Sequence, residues 1–131
     1  MEKISFKIEV GNIVRVVLNP TVGDAKQKGR FCLVVEKGSS HLNLIIILPI
    51  TNDTGKRNSQ FYVPIANMKE AGLQEPSVID CYQIRTVSIE RLIKSKSETF
   101  SIGKVDETVL FEVRQRLAWS LDIGEEHVNT P

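Results

Sequence analysis

Three apolar runs rich in β-branched residues lie in the first half of the chain, and they restrict its possible folds more than any other feature. We predict strands over Val10–Leu18, Phe31–Glu36 and Leu42–Thr51. Helices are disfavoured there because valine and isoleucine lose side-chain freedom in a helix. A short link containing Gly38 joins the last two runs, which is typical of a hairpin at the centre of a small β-domain.

A polar loop, residues 19–30, separates the first run from the second. Its cations are Lys26, Lys28 and Arg30, and Asp24 opposes them. A loop of this length without apolar periodicity is more often a binding element than a connector. We therefore expect the loop to hold a phosphate-bearing ligand, RNA, against the strand that ends at Thr51.

The length and charge of the chain narrow the function classes. The 131 residues suit one domain over 1–131, and we expect a flexible N-terminal segment at 1–9 and a tail at 124–131. With 17 Lys+Arg against 16 Asp+Glu, the formal net charge is +1, which excludes a strongly basic, histone-like binder. A nucleic-acid ligand would have to be held by a local patch.

The cysteines and the apolar patterning indicate a compartment. Cys32 and Cys81 lie inside apolar runs, so we expect both thiols to be buried and reduced. The N-terminal residues lack the apolar core of a signal peptide. No apolar run approaches the roughly 18 residues of a membrane span. A cytoplasmic protein without membrane contact is expected.

The second half of the chain predicts shorter strands and one terminal helix. The further strands are expected within Gln60–Ile65, Pro76–Val87 and Phe100–Val105. Short helical stretches are expected within Ala66–Leu73 and Ile89–Ile93. Together with the first three strands they favour a small, curved antiparallel sheet or barrel with the helix covering one opening.

The terminal helix is predicted to begin after Asp106, which caps it, and to end at Gly124. Apolar residues recur along it at spacings of three and four. They are Val109, Leu110, Val113, Leu117 and Leu121. This spacing predicts one apolar stripe that faces the sheet. Trp119 falls beside the stripe, where core or dimer packing is favoured over ligand stacking.

Several short motifs, in their order and spacing, resemble the MazF/PemK family of toxin endoribonucleases. They are Gly11–Val16, Asn19–Gly23, Gly29-Arg30, Pro49–Thr51, Gln83–Val87, Gly103–Val105 and Val113–Leu117. The resemblance implies a mainly β fold, a small SH3-like antiparallel barrel with a C-terminal α-helix, and a homodimer. It also implies a partner, a cognate MazE/PemI-like antitoxin whose C-terminal segment occupies the RNA groove.

The implied activity is cleavage of single-stranded mRNA without ribosome, metal or cofactor. The 2′-hydroxyl would attack the adjacent phosphate and leave 2′,3′-cyclic phosphate and 5′-hydroxyl ends. By the same resemblance Arg30, seven residues after Gly23, and Thr51 are the catalytic residues. A guanidinium suits this task because its fixed fork of donors fits phosphate oxygens. The predicted RNA-binding residues are Asn19, Thr21, Lys26, Gln27, Lys28, Asp53, Tyr82, Gln83 and Arg85.

The chain departs from the family pattern at four positions. Phe31 stands where the family commonly has proline, and Ala25 where some members have glutamate. Asp80 and Tyr82 stand where the PemK branch has an arginine and an aspartate that do acid/base work. The general base is therefore left unassigned.

Two alternatives stay open at the level of sequence. The chain could be a non-catalytic barrel of the same fold that binds RNA or a protein target such as gyrase. Retention of Arg30 and Thr51 favours the enzyme, whereas Ala25, Asp80 and Tyr82 favour the non-catalytic barrel. Structural roles are also open for single residues: Tyr82 could pack on the sheet, and Arg85 could pair with a carboxylate such as Asp80 or Glu90.

Overall fold

The computed structural model describes residues 8–18, 29–38, 43–55, 59–95 and 99–124. Its strands are β1 (Asn12–Val16), β2 (Arg30–Glu36), β3 (Leu44–Asn52), β4 (Tyr62–Pro64), β5 (Ser77–Asp80), β6 (Arg85–Ser88), β7 (Leu92–Ile93) and β8 (Ser101–Lys104). The helix α1 (Glu107–Ser120) follows β8. Residues 1–7 and 125–131, most of the termini predicted to be flexible, lie outside these ranges.

The described strands pair antiparallel in the order β4-β5-β3-β2-β1-β7, with β6 also on β3 and β8 also on β1. No pairing between the end strands β4 and β7 closes this part of the sheet. A mainly β fold with a C-terminal helix is confirmed, as an open, barrel-like sheet. The helices of the described part are too short or too polar to span a membrane.

The long strand β3 organises the sheet because it pairs along both of its sides. Its first half pairs with β6, from Leu44 to Ile47, and its second half with β5, from Ile50 to Asn52. The strand region predicted within Pro76–Val87 is therefore divided into two strands, β5 and β6, that pair with different parts of β3. The chain turns between β5 and β6, where the Asp80 carboxylate accepts a hydrogen bond of 3.0 Å from the Tyr82 backbone N–H, a local bond that favours a turn over a strand.

Hydrophobic clusters cover both faces of the sheet, which explains why β1, β2 and β3 are apolar without a polar face. The helix-side cluster contains Ile13, Leu33 and Leu48. The opposite cluster contains Val14 and Cys32, which alternate with those residues along their strands, and the buried Ile8. Successive side chains of a strand point to opposite faces, so each face buries every second residue.

The helix α1 packs on the helix-side cluster through Val109 and Val113, which are buried. Asp106 caps it as predicted, accepting a hydrogen bond of 2.9 Å from the Val109 backbone N–H. The predicted end at Gly124 is wrong, since the helix stops at Ser120. Leu121 is 52% exposed, so its assignment to the buried stripe is also wrong.

The two short helical stretches form only in part. The stretch within Ala66–Leu73 is a series of turns, in which the Ala71 backbone N–H donates to the Asn67 carbonyl at 3.0 Å. The stretch Ile89–Ile93 begins as a 3₁₀ turn over Ile89–Arg91 and then becomes β7. The pairing of β7 with β1 draws these last two residues into the sheet.

Candidate nucleic-acid interface

Arg30 and Thr51 lie on neighbouring strands at one end of the sheet. The β2–β3 register pairs Cys32 with Pro49, and its continuation to the first residue of β2 sets Arg30 opposite Thr51. Directly opposite residues of an antiparallel pair point to the same face. The two predicted catalytic side chains therefore share one face and one strand end.

The guanidinium of Arg30 lies over β3. Its Nε donates a long hydrogen bond of 3.5 Å to the Ile50 carbonyl, and the residue is exposed. This is its one hydrogen bond to the residues that the structure describes, which leaves both terminal nitrogens available for an anion. Thr51 is half-buried, so its hydroxyl can still meet a ligand at this strand end.

The face shared by Arg30 and Thr51 is the one opposite α1, and Cys32 lies on it. Burial raises the pKa of the Cys32 thiol to about 12, and the charges of Arg30 and Arg85 oppose that rise. Both guanidiniums are therefore close to this thiol. Since Arg85 pairs with Ile47 on β3, four residues from Thr51, the two cations flank about 13 Å of strand.

Arg85 does not pair with either carboxylate suggested by the sequence. Its Nη2 donates to the Leu18 carbonyl at 2.8 Å, and Nη1 of Arg91 donates to the same oxygen at 3.3 Å. Leu18 is the last described residue before the loop 19–28. The two arginines thus hold the backbone where the loop begins. Sequence reasoning missed Arg91 because a backbone carbonyl leaves no complementary residue type to search for.

The turn between β5 and β6 presents Tyr82 and Gln83 to solvent. Tyr82 is 66% exposed. The centroid of its ring lies 4.9 Å from the ring centroid of Phe61, and the ring centroids of Phe61 and Trp119 lie 5.9 Å apart. Tyr82 packs on this aromatic row and not on the sheet. Trp119 is 57% exposed, so it does not belong to the core of the chain, and of the two predicted roles only dimer packing stays a prediction.

The predicted RNA-binding residues fall into two groups. Asn19, Thr21, Lys26, Gln27 and Lys28 lie outside the described residues. Asp53 follows β3 directly, and its backbone N–H donates to the Pro76 carbonyl at 2.9 Å. The structure therefore brings Arg30, Thr51 and Asp53 to one strand end, with Arg85 farther along β3 and Tyr82 in the adjoining turn.

A cleft of about 280 Å³ lies beside the same strand end. Phe31, Asn52 and Glu75 are among the residues that line it. Phe31 directly follows Arg30 and Asn52 directly follows Thr51, so both side chains point to the face opposite the predicted catalytic residues. Within the described ranges, no group of three or more His, Cys, Asp or Glu side chains could hold a metal ion.

Both thiols are expected to be unreactive in the folded protein. Burial raises the pKa of Cys32 and of Cys81 to about 12, and the thiolate is the reactive form. A disulfide reagent at pH 8 should label neither thiol until denaturant is added. Rapid labelling of native protein would contradict the burial.

The same burial makes the stability of the fold depend on pH. Because folding raises both thiol pKa values from 9.0, burying the neutral thiols stabilises the fold fully below pH 9, and this stabilisation is lost as the pH rises toward 12.

Solved structures of similar fold were found. The Mycobacterium tuberculosis toxin MazF-mt6 is 22% identical with a TM-score of 0.64, covering 86% of this chain and 98% of that one. A MazE-MazF structure from Deinococcus radiodurans is 20% identical with a TM-score of 0.65, covering 90% and 98%. An endoribonuclease in complex with its cognate antitoxin from Mycobacterial species is 15% identical with a TM-score of 0.61, covering 87% and 94%.

These likenesses confirm the predicted fold. A comparison with curated proteins gave no match. The model of the family described as "PemK-like, MazF-like toxin of type II toxin-antitoxin system" matches residues 9–121, nearly the range over which the motifs resemble that family. The chain belongs to this family of PemK-like and MazF-like toxins.

Proposed function

We propose that this toxin is an endoribonuclease that cleaves single-stranded mRNA in the cytoplasm, without the ribosome and without a metal ion. The observation that carries the proposal is the position of Arg30 opposite Thr51 at an exposed strand end. An exposed guanidinium and a hydroxyl on one face suit a phosphodiester, which needs charge stabilisation and a fixed orientation.

In the proposed reaction, the ribose 2′-oxygen attacks the adjacent phosphorus and loses its proton to a base. The bond from phosphorus to the 5′-oxygen breaks, and that oxygen takes up a proton. The products are a 2′,3′-cyclic phosphate and a 5′-hydroxyl. Arg30 stabilises the negative charge that the phosphate gains, because its donors fit phosphate oxygens and it stays charged. Thr51 donates a hydrogen bond to the same phosphate.

The other predicted residues would bind the RNA on either side of that phosphate. Lys26, Gln27 and Lys28 would contact backbone phosphates in a salt-dependent manner, and Asn19, Thr21 and Asp53 would be further contacts to the RNA. Tyr82 offers its exposed ring to a base. Arg85 is predicted from the sequence to bind RNA directly, but its guanidinium is bonded to the Leu18 carbonyl. We therefore assign it the role of holding the backbone at Leu18 and adding positive charge near the RNA.

The proposed partners are a cognate MazE/PemI-like antitoxin and a second copy of the chain. Structures similar to this one are described as MazE-MazF and as an endoribonuclease with its cognate antitoxin. Exposed apolar side chains on and after α1 support a covered surface in the assembled protein. They are Phe111, Trp119, Leu121 and Ile123. Light scattering on the purified toxin should give twice the mass of one chain.

Incubation with a long single-stranded RNA in the presence of EDTA tests the activity. We expect discrete fragments whose 5′ ends accept a labelled phosphate from a kinase without prior phosphatase treatment, because they carry 5′-hydroxyls. Their 3′ ends should resist labelling until the cyclic phosphate is opened. Intact RNA after incubation with protein shown to be folded would contradict the proposal and favour the non-catalytic barrel.

A further inference from the structure

Asp80 lies on the same face of the sheet as the proposed catalytic residues. Thr51 pairs with Val78 across β3 and β5, so the two share a face, and Asp80 is two residues farther along β5. Ile79, between them, belongs to the helix-side cluster. The Asp80 carboxylate is therefore turned toward the face of Arg30, although Asp80 itself is only 5% exposed.

Both oxygens of Asp80 have defined partners. Oδ1 accepts from the Tyr82 backbone N–H at 3.0 Å, and Oδ2 accepts from Nε2 of Gln83 at 2.7 Å. A carboxylate can only accept hydrogen bonds, so the amide of Gln83 has to turn its amino group inward. Its carbonyl oxygen Oε1 then faces outward, at a residue that is exposed. Asp80 thus decides which end of the amide a ligand meets.

We propose that Asp80 is a positioning residue that makes Gln83 read RNA bases as a hydrogen-bond acceptor. The proposal rests on the RNA cleavage proposed above and adds a specificity to it. An outward acceptor selects a base that presents an amino group at that point. Adenine N6 and cytosine N4 are such groups, at positions where guanine and uracil carry the carbonyl oxygens O6 and O4; guanine has its amino group at a different edge, on N2.

The substitution Asp80→Asn should reverse the selection. The backbone N–H of Tyr82 still needs an acceptor, so the oxygen of the introduced asparagine stays with it and the amino group faces Gln83. The carbonyl oxygen of Gln83 then accepts a hydrogen bond from that amino group, so the amino group of Gln83 turns outward. A donor now meets the base, and carbonyl-bearing bases become the preferred ones.

A second substitution should restore the original preference. With Asp80→Asn in place, Gln83→Glu supplies a carboxylate that accepts from the introduced asparagine through one oxygen and presents the other oxygen outward. In Gln83→Glu alone, the carboxylates of residues 80 and 83 would repel each other, so this single variant should not show the wild-type base preference. Rescue in the double variant but not in the single one is a result that general destabilisation cannot produce.

Cleavage of matched RNAs tests the assignment. After cleavage sites are mapped for the wild-type toxin, each base near a site is replaced within an isosteric pair, cytosine against uracil or adenine against inosine. At one position we expect the amino-bearing base to be cleaved about 5-fold to 10-fold faster, the effect of one hydrogen bond. Asp80→Asn should reverse that preference, and the double variant should restore it.

Three results would overturn the assignment. The wild type could show no position with this preference, Asp80→Asn could keep the preference unchanged, or Gln83→Ala, at an exposed residue, could retain it. The last variant decides the question even if Asp80→Asn fails to fold. In all three results the RNA is still cleaved, so the proposed activity stands. Absence of any cleavage by the folded wild-type protein would overturn both proposals.

Discussion

Replacing Arg30 with alanine is expected to lower kcat/KM for RNA cleavage by about 100-fold to 1,000-fold, the loss that follows removal of one transition-state donor. The guanidinium is the cation on the face shared with Thr51 whose terminal nitrogens have no hydrogen bond to any described residue. Its charge-assisted bonds strengthen as the phosphate gains negative charge, so kcat should fall more than the affinity for RNA. Cleavage of a short fluorescent RNA under single-turnover conditions measures the effect.

Arg114→Ala is the matched control for this loss. Arg114 is also an exposed arginine, but it lies on α1, which packs on the opposite face of the sheet from Arg30. Its removal lowers the net charge by the same amount and should leave the rate within about 2-fold, because distant exposed charges are screened by salt. Equal losses in the two variants would mean that Arg30 acts only through the overall charge of the protein.

Gly103→Ala is expected to destabilise the fold by about 3 kcal/mol or more, which is large for the addition of one methyl group. A Cβ at Gly103 would collide with the backbone of Ala71 and would lie 2.6 Å from the carbonyl oxygen of Glu70. Backbone atoms cannot rotate away as a flexible side chain can, so either the turn at Ala71 or β8, which pairs with β1, would have to shift. Urea unfolding followed by circular dichroism measures the change.

Gly55→Ala separates crowding from the backbone preference of glycine. Gly55 has φ +81°, which disfavours any side chain, but no described atom lies within 4 Å of an added Cβ. This variant should cost only about 1–2 kcal/mol, the penalty of the left-handed conformation. If Gly103→Ala cost no more than Gly55→Ala, the close approach of β8 to the turn at Ala71 would not exist in solution.

The main strands could be predicted from sequence because their β-branched content is high on both faces. The strands β2 and β3 begin and end within two residues of the expected bounds. The turn after Asp80 was not predicted, since the apolar residues on either side continue the strand pattern. One local hydrogen bond to the Tyr82 backbone decides that turn, and such a bond has no periodic signature.

The candidate site was predictable in part, through the family spacing of Arg30 and Thr51. What the sequence could not provide were contacts with backbone groups and between distant segments. The carbonyl of Leu18 attracts Arg85 and Arg91 from more than 60 positions away, at separations of 67 and 73. The bond that orients Gln83 links residues only three apart, but its importance depends on the face to which Asp80 points, and that is set by the register of β3 and β5.

A double-mutant cycle on Arg30 and Thr51 tests most directly whether the two side chains act on one phosphodiester. Single-turnover kcat/KM is measured for the wild type, Arg30→Ala, Thr51→Val and the double variant, with each fold checked by circular dichroism. If both residues contact the same phosphate, the double variant should lose at least about 5-fold less than the product of the two single losses, a coupling near 1 kcal/mol. Losses that multiply within experimental error, each residue acting independently of the other, would contradict a shared site.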